Sequence, residues 1–347
     1  MNIPVSIVIV TFNSAKTIQD CLICLNDQTF KNFELILVDN NSKDGTVPII
    51  GSMKSYLHFP IKTIYQEGNL GFAGGNNLAL KYVSQNCRYV ALLNPDAKAD
   101  GQWLQKLVIE MENNPEVGVC ASKILTNDGQ CIDSAGIGMS TTLKGFNRGE
   151  GKDINQYNCK EYVFSACGCA SIYRKKLLDE IGFFDEDFFL IHEEVDLCFR
   201  AHLAGWKVLY VPESKVYHKV RSSIGRMSDK DVYYSVRNVE LVKIKNVPLK
   251  LFITYMPGIL ISYLTEFYYF GLKHKKMKIY LRAKVDALKL LPKMLKKRKM
   301  VFKIKKTNDK YVSSLLISIF SEEFLKSKIK KFLPLRERKR AQTVFPL

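Results

Sequence analysis

Residues 90–97 read VALLNPDA, and in this stretch an apolar run passes directly into a polar turn that carries a carboxylate. A continuous apolar run of this kind predicts a strand that is buried on both faces of a sheet. Pro95 cannot donate to a sheet ladder, so we expect the strand to end near Asn94. Asp96 then follows the carboxyl end of the strand, where ligands bind in open α/β sheets. The alternative is that Asp96 only holds a turn or caps the next helix.

The rest of the first hundred residues repeats the same alternation. Residues 5–10 (VSIVIV), 33–38 (FELILV) and 61–65 predict three further strands, with helices between them. This alternation implies a parallel, doubly wound sheet. The turn after the first strand has no glycine, which argues against a dinucleotide fingerprint and against a P-loop. Asp39 follows the second strand, so its carboxylate is either a turn residue or an acceptor for a ribose hydroxyl or a base N–H.

A second acidic stretch, residues 183–200 (FFDEDFFLIHEEVDLCFR), sets six carboxylates among large apolar side chains. Apolar residues at helical spacing predict a helix from about Glu193 to Ala204. Carboxylates in the first turn of a helix either stabilise the helix dipole or carry acid–base chemistry. His218 follows a predicted strand at 208–211 and a turn, and a single histidine there is either structural or a ligand.

Charge divides the 347-residue chain unevenly. The net charge is +18, but residues 241–347 hold 27 basic and 6 acidic residues, whereas residues 1–240 hold 25 basic and 28 acidic ones. Such asymmetry points to an anionic partner, either a membrane surface or a nucleic acid. The nine cysteines follow no regular frame, which is typical of reduced thiols in a cytosolic chain.

The basic tail is also apolar in places. Residues 249–272 are long enough to span a bilayer, but Pro257, Gly258 and Glu266 favour a bent helical hairpin that lies at the membrane interface. Residues 273–306 are rich in lysine with leucine, isoleucine and methionine between, as in interfacial amphipathic helices. The alternatives are a membrane span and a soluble helical subdomain packed on the sheet.

Taken in order, the segments at 5–13, 37–46, 69–77, 92–96, 182–200 and 216–218 resemble the inverting glycosyltransferases of family 2. The resemblance is closer to the bacterial rhamnosyltransferase and galactofuranosyltransferase branch. It implies a GT-A fold over residues 1–240, that is, an α/β, Rossmann-like and mostly parallel central sheet with flanking helices. Residues 241–347 then form a basic, amphipathic helical region that associates with an anionic membrane surface.

The resemblance also implies which residues form the site. The nucleotide of a dTDP or UDP sugar would lie against eight residues at the strand ends: Thr11, Phe12, Asn13, Asp39, Asn41, Asn69, Gly71 and Asn76. Asp96 would bind a divalent metal, Mn²⁺ or Mg²⁺, as the last residue of the family's Asp-x-Asp motif, and His218 would be the second ligand. Asn94 stands at the first position of that motif, so the site has one carboxylate instead of two, which predicts weak metal binding.

For the catalytic base, the family uses a Glu-Asp pair at a helix start, and this chain has Glu193-Glu194 there. By position Glu194 is the base, while Glu193 and Asp196 remain candidates. The resemblance implies a hexosyltransferase of cell-wall or capsule polysaccharide biosynthesis, favouring rhamnose from a dTDP donor and a lipid-linked glycan acceptor. We expect the protein to be cytoplasmic and peripheral on the inner face of the cell membrane, and homo-oligomerisation stays open. The alternatives are other sugars from UDP donors, a scaffold without activity and a nucleic-acid-binding protein, although we expect no nucleic-acid partner because the charge is not interleaved with a recognisable module.

Overall fold

The structure is a computed structural model that describes residues 4–219 and 227–321. Four parallel strands alternate with helices in the first hundred residues. These elements are β1 (Val5–Thr11), α1 (Ile18–Asn26), β2 (Phe33–Asp39), α2 (Thr46–Met53), β3 (Ile61–Tyr65), α3 (Gly71–Leu80) and β4 (Tyr89–Leu93). The predicted buried run therefore forms β4, whose five residues are all buried.

The middle of the chain adds antiparallel strands to this parallel half. The elements that follow are β5 (Ala97–Ala99), α4 (Trp103–Asn113), β6 (Val117–Thr126), β7 (Ile132–Ser134), β8 (Ile137–Ser140), β9 (Gly145–Asn147), β10 (Glu161–Tyr162), β11 (Ala170–Arg174), α5 (Lys175–Ile181), α6 (Glu193–Leu203) and β12 (Lys207–His218). Within the described residues the main sheet has the order β10-β12-β6-β11-β4-β1-β2-β3, with β5 paired to β12 and β7 to β6. It is a mixed GT-A sheet that is parallel from β4 to β3.

Two expected elements differ from the structure. Residues 163–173 (VFSACGCASIY) are an apolar run that by sequence predicts one buried strand. In the structure β11 begins only at Ala170, because Ser165 bridges instead to Ile137 at the edge of the β8–β9 hairpin. The predicted turn at 212–215 lies inside β12, where the pairing with β6 shifts register between Val211 and Lys215. This irregularity lets the strand continue through Pro212 as far as His218.

The described residues from 229 to 314 are mainly helical, as expected for the C-terminal region. They form α7 (Asp229–Asn246), α8 (Leu249–Thr254), α9 (Met256–Glu266), a π-helical segment (Phe267–Lys273), α10 (Met277–Lys289), α11 (Leu291–Lys303) and α12 (Asp309–Ser314), before β13 (Leu316–Ile317) pairs with β8. The helix α7 runs through residue 240, so the boundary expected there from the change in charge does not coincide with the end of an element.

The C-terminal helices pack against the helix that follows the acidic stretch. Val195, Phe199 and Leu203 of α6 share one apolar core with Leu241 of α7 and Met294 of α11. The tail is thus a packed helical layer as well as a basic one. Within the described residues, no helix combines the length and the apolar composition needed to cross a bilayer.

Candidate functional site

Asp96 and His218 meet at the end of the central strands. The backbone N–H of Asn94 donates to the carbonyl of Cys169 at 2.8 Å, which fixes the end of β4 beside β11. β5 then pairs with β12 so that Ala97 lies opposite His218. This pairing brings the Asp96 carboxylate Oδ1 to 3.4 Å from Nε2 of His218. The structure therefore joins the two expected metal ligands, which are 122 positions apart in the chain.

The other ring nitrogen of His218 contacts a residue that the sequence did not suggest. Nδ1 lies 3.0 Å from Oδ2 of Asp133, which is 8% exposed and sits in β7. An ionised carboxylate only accepts hydrogen bonds, so Nδ1 carries the proton and Nε2 faces Asp96. A carboxylate behind a histidine, with the second nitrogen turned to the metal, is the usual arrangement around metal-binding histidines.

These side chains fit a divalent cation. Adjacent ligand atoms that each lie about 2.1 Å from one ion are roughly 3 Å apart at a right angle. The 3.4 Å between Asp96 and His218 is close to that spacing. In the described part of the chain no group of three or more His, Cys, Asp or Glu side chains is placed to hold a metal ion. Mg²⁺ commonly has only one or two carboxylate ligands together with substrate phosphates, so a small protein ligand set is compatible with it.

The electrostatics of the pair also favour positive charge. Burial opposes the charged imidazolium, but Cys169, Asp133 and Asp96 outweigh that opposition and raise the pKa of His218 above its ordinary value. A ring between two carboxylates attracts positive charge, whether as a proton or as a cation. The thiol of Cys169 lies beside the ring and is itself buried, which raises its pKa, while His218 acts to lower it.

The candidate base stands at the start of α6. Glu194 as a whole is partly exposed at the helix start, but its carboxyl is buried, and this burial raises its pKa to about 7. The backbone groups of Glu194 and His192 oppose the shift because their hydrogen bonds favour the charged form. Glu193 is 5% exposed, and burial together with the charge of Glu194 raises its pKa well above the ordinary value. Its Oε2 has no hydrogen-bond partner among the residues that the structure describes. Two adjacent carboxyl groups whose pKa values differ are suited to separate acid and base roles.

A short apolar segment connects the base to the metal-ligand pair. A β-carbon on Gly168 would lie 4.0 Å from Cβ of Glu194, so this glycine passes directly beside the base. Burial, Cys169 and then the carboxylates of Asp133 and Glu194 all raise the pKa of the Cys167 thiol, so both carboxylates lie near this residue. Glu194 and the Asp96–His218 pair therefore flank the same three residues, 167–169.

The third candidate base has a different environment. Asp196 is fully buried and accepts hydrogen bonds from Nε of Arg200 at 2.9 Å, Nζ of Lys245 at 2.9 Å and Nδ2 of Asn246 at 2.8 Å. Burial opposes its charge, but Lys245 and Arg200 outweigh burial and lower the pKa of Asp196. A carboxylate held by three donors is a poor proton acceptor, so the contacts of Asp196 favour a structural role.

Some of the predicted nucleotide residues form a connected polar edge. Asp39 lies at the end of β2, where Oδ1 accepts from the hydroxyls of Thr11 at 2.7 Å and Ser42 at 2.6 Å. Asn13 has a left-handed backbone with φ 52°, and its side chain accepts from the N–H of Lys43 at 2.8 Å. The turn after β1 and the turn after β2 are thus tied together. Phe12 between them is 36% exposed, which leaves its ring accessible to a planar base.

The other four predicted residues lie in the turn after β2 and around the start of α3. The Asn41 amide donates to the carbonyl of Glu67 at 2.6 Å, and Asn69 accepts from the N–H of Gly71 at 2.8 Å. Asn76 is 1% exposed and donates to Phe72 at 2.8 Å, one turn earlier in α3. Asn76 is therefore a buried helix residue, because the helix begins at Gly71 and turns its side chain inward.

The fold and these contacts define a class before any comparison. A parallel half-sheet has a polar edge at the ends of β1 and β2 and an acid–imidazole pair at the end of β4, with a raised-pKa carboxylate nearby. This is the layout of a GT-A glycosyltransferase. Residues 6–182, which are 177 of the 347, match the family described as glycosyl transferase family 2, and the chain belongs to that family.

Individual relatives are distant. The chain is 26% identical over 244 residues to the amylovoran biosynthesis glycosyltransferase AmsB of Erwinia amylovora, covering 70% of this chain and 78% of AmsB. It is 24% identical to the N-acetylglucosaminyl-diphospho-decaprenol L-rhamnosyltransferase of Mycobacterium tuberculosis, covering 63% and 77%. The low-salt glycan biosynthesis hexosyltransferase Agl10 of Haloferax volcanii is 25% identical, over 56% of this chain and 61% of Agl10. This chain therefore spans about three fifths of Agl10.

Solved structures agree on the fold. S. aureus TarS is similar with a TM-score of 0.55 and 21% identity over 86% of this chain and 52% of TarS. The mannosyltransferase PcManGT of Pyrobaculum calidifontis, solved with GDP-Man and Mn²⁺, has a TM-score of 0.54 and 14% identity over 98% of this chain and 84% of PcManGT. The predicted fold class and the prediction of an enzyme are confirmed.

Proposed function

We propose that the protein transfers a sugar from a nucleotide-sugar donor to a hydroxyl of a lipid-linked surface-polysaccharide precursor, with inversion at the anomeric carbon. The favoured donor is dTDP-L-rhamnose, because the relatives include rhamnosyltransferases from Mycobacterium tuberculosis and Salmonella typhimurium. A galactofuranose, galactose or N-acetylhexosamine from a UDP donor is the alternative. The observation that supports the proposal is that the Asp96–His218 contact and the start of the Glu194 side chain both border residues 167–169.

In the proposed reaction the acceptor hydroxyl attacks the anomeric carbon while the bond from that carbon to the donor diphosphate breaks. The hydroxyl proton passes to Glu194, whose pKa of about 7 suits a base that works near neutral pH. Glu193, which is kept neutral by burial, would donate a hydrogen bond beside it. Asp96 and Nε2 of His218 would hold the divalent cation, with Asp133 fixing the ring. A bound cation would neutralise the charge that develops on the leaving diphosphate.

The donor is tested first by thermal shift with dTDP-, UDP- and GDP-sugars in Mn²⁺, because a ligand that binds only the folded state raises its apparent stability. Transfer is then measured with the selected donor and a polyprenyl-diphosphate-linked N-acetylhexosamine, and the anomeric configuration of the product is read by NMR. We expect inversion, and we expect Glu194→Gln to lower the transfer rate about 10²- to 10⁴-fold while nucleotide binding is kept. Retention of configuration, or full transfer by Glu194→Gln, would contradict the proposal.

The C-terminal helices supply the surface for a lipid-linked acceptor. Leu260, Leu264 and Phe267 lie at helical spacing and are 41–71% exposed, which gives α9 and the π-helical segment an outward apolar stripe. A second stripe on α10 consists of Leu281, Val285 and Leu288, which are 48–65% exposed. Residues 273–278 (KHKKMK) connect the two stripes with four lysines. Apolar stripes bordered by lysine are typical of helices that lie on anionic bilayers.

We therefore propose peripheral attachment to the cytoplasmic leaflet through these two stripes. Cosedimentation with phosphatidylglycerol vesicles and with phosphatidylcholine vesicles tests this surface. The Leu264→Asp/Leu288→Asp double variant should lose binding to the anionic vesicles. Ile23→Asp is the matched control, because Ile23 is also an exposed apolar residue, at 43%, but lies on α1. Equal binding by the double variant and the control would contradict this attachment.

A further inference from the structure

The chain enters α6 through residues 187–192, a segment with an uncommon backbone. Phe189, Ile191 and His192 have φ of 64°, 68° and 73°. Residues other than glycine rarely adopt this conformation, and it is least favourable for a β-branched residue such as Ile191. Such a backbone persists only where its surroundings hold it. Since Glu194 follows two residues after His192, whatever holds this segment also fixes the direction in which the base points.

Three of the hydrogen bonds that hold this segment come from one buried side chain on α7. The Nδ2 amide of Asn238 donates to the carbonyls of Phe188 at 2.9 Å, Leu190 at 2.8 Å and Ile191 at 2.7 Å. Asn238 is fully buried. A carboxamide NH₂ has two hydrogens, so three close carbonyls use its whole donor capacity. A single side chain thus gathers the carbonyls on both sides of the left-handed residue Phe189.

Arg237 supports this contact from the neighbouring position. Its Nε donates to Oδ1 of Asn238 at 2.9 Å, which orients the amide so that the NH₂ group faces the segment. Its Nη2 donates to the carbonyls of Asp187 at 2.6 Å and Phe188 at 3.0 Å. The guanidinium also lies 4.9 Å from the ring of Tyr234, and that ring stacks on Phe189 at 5.3 Å.

The opposite side of the segment contacts the start of α3, which contains Gly71, one of the residues predicted to bind the nucleotide. The carbonyl of Phe189 accepts from the N–H of Ala73 at 3.1 Å. A β-carbon on Gly71 would lie 2.4 Å from the same carbonyl, so the two backbones touch without space for a side chain. The segment is thus held between α7 on one side and the start of α3 on the other.

We propose that Asn238, oriented by Arg237, is a positioning residue for sugar transfer that holds residues 187–192 so that Glu194 faces the bound donor. The inference rests on the proposed function, because it gives Asn238 this role only where Glu194 is the base. The C-terminal region would then have a second role besides membrane attachment, because α7 contacts the segment that leads into α6.

The test compares Asn238→Asp, which keeps the size of the side chain but removes both donor hydrogens, with Val236→Ala in the full chain. Val236 lies on the same helix, is 1% exposed and packs with Tyr280 and Ala283, away from the segment. For each variant, kcat, the donor KM, the nucleotide Kd and the urea midpoint are measured. A small displacement of a catalytic group can lower kcat about 10²-fold, and we expect a loss of that size for Asn238→Asp with nucleotide Kd changed by less than about threefold.

A merely structural role would lower kcat only in step with stability, and Val236→Ala reports that effect. Asn238→Asp with a kcat within about threefold of the wild type, or an equal loss in Val236→Ala at equal stability, would overturn the inference. Where Asn238→Asp does not fold, Arg237→Lys decides by the same criteria, with an expected loss of about tenfold because the amide loses its support. Full activity in Glu194→Gln would instead contradict the proposed function itself, whereas an inactive Glu194→Gln with a fully active Asn238→Asp would contradict only this inference.

Discussion

Replacing Asp133 by asparagine tests whether His218 is held as a metal ligand. Asp133 accepts from Nδ1 of His218 at 3.0 Å and is 8% exposed, so the carboxylate is a desolvated partner of the ring. An asparagine of the same shape removes the negative charge and permits the ring to adopt the other tautomer. Losing a carboxylate behind a metal-binding histidine typically costs 10- to 100-fold in metal affinity, which is about 1.4–2.7 kcal/mol.

The assay is isothermal titration calorimetry, in which Mn²⁺ is titrated into the protein with dTDP present. Asp128→Asn is the matched control, because Asp128 lies in the nearby turn after β6, where it accepts from the Thr126 hydroxyl at 2.5 Å. We expect the control to bind Mn²⁺ like the wild type and Asp133→Asn to bind it about 10- to 100-fold more weakly. Unchanged affinity in Asp133→Asn would refute the reasoning, since the ring would then not need its carboxylate.

Three further predictions follow from the same contacts. Burial raises the pKa of Glu194 to about 7, and a base must be ionised to accept a proton, so kcat/KM should rise with pH up to about 7 and then level off. A rate that does not change between pH 5 and 8 would contradict the assignment of Glu194 as the base. In the wild type, Nζ of Lys245 lies within 2.9 Å of the buried carboxylates of Asp185 and Asp196. Lys245→Met removes this cation and should lower the free energy of urea unfolding by about 3–5 kcal/mol. Burial opposes ionisation of Asp185 and Asp196, but Lys245 acts against burial and lowers the pKa of both carboxyls. The stability that these pairs contribute should therefore be present at neutral pH and decline as the pH falls below about 4. The unfolding free energy of Lys245→Met should decline less over the same pH range. Gly71→Ala should lower both stability and transfer, because its β-carbon would lie 2.4 Å from the Phe189 carbonyl, whereas Gly45→Ala, also at positive φ but in open space, should cost only about 1 kcal/mol and keep transfer.

The sequence predicted the elements that follow simple patterns. The apolar run at 90–93 predicted a buried strand with Asp96 just after its end, and the structure has β4 at Tyr89–Leu93 with Asp96 three residues beyond it. Alternation of strands and helices predicted the parallel half of the sheet, because each such crossover is local in the chain. His218 entered the site only through the family resemblance, since one histidine after a turn carries no pattern of its own.

Other features depend on contacts that no local pattern encodes. Asp133 lies in a polar segment without periodicity, and only the register between β6 and β7 brings it to His218. Asn238 sits in α7, and its proposed role depends on the carbonyls of a segment about 50 residues earlier in the chain. Asn76 was assigned to the nucleotide pocket by resemblance, and only the structure shows that its side chain is buried and donates to the carbonyl of Phe72.

Pulsed electron paramagnetic resonance of Mn²⁺ bound together with dTDP tests most directly whether His218 and the diphosphate bind the same metal ion. We expect one Mn²⁺ centre to show both an imidazole nitrogen coupling and a phosphorus coupling from the diphosphate, and we expect His218→Gln to remove only the nitrogen signal. A Mn²⁺–dTDP centre whose spectrum in the wild-type protein contains no nitrogen coupling would contradict this expectation.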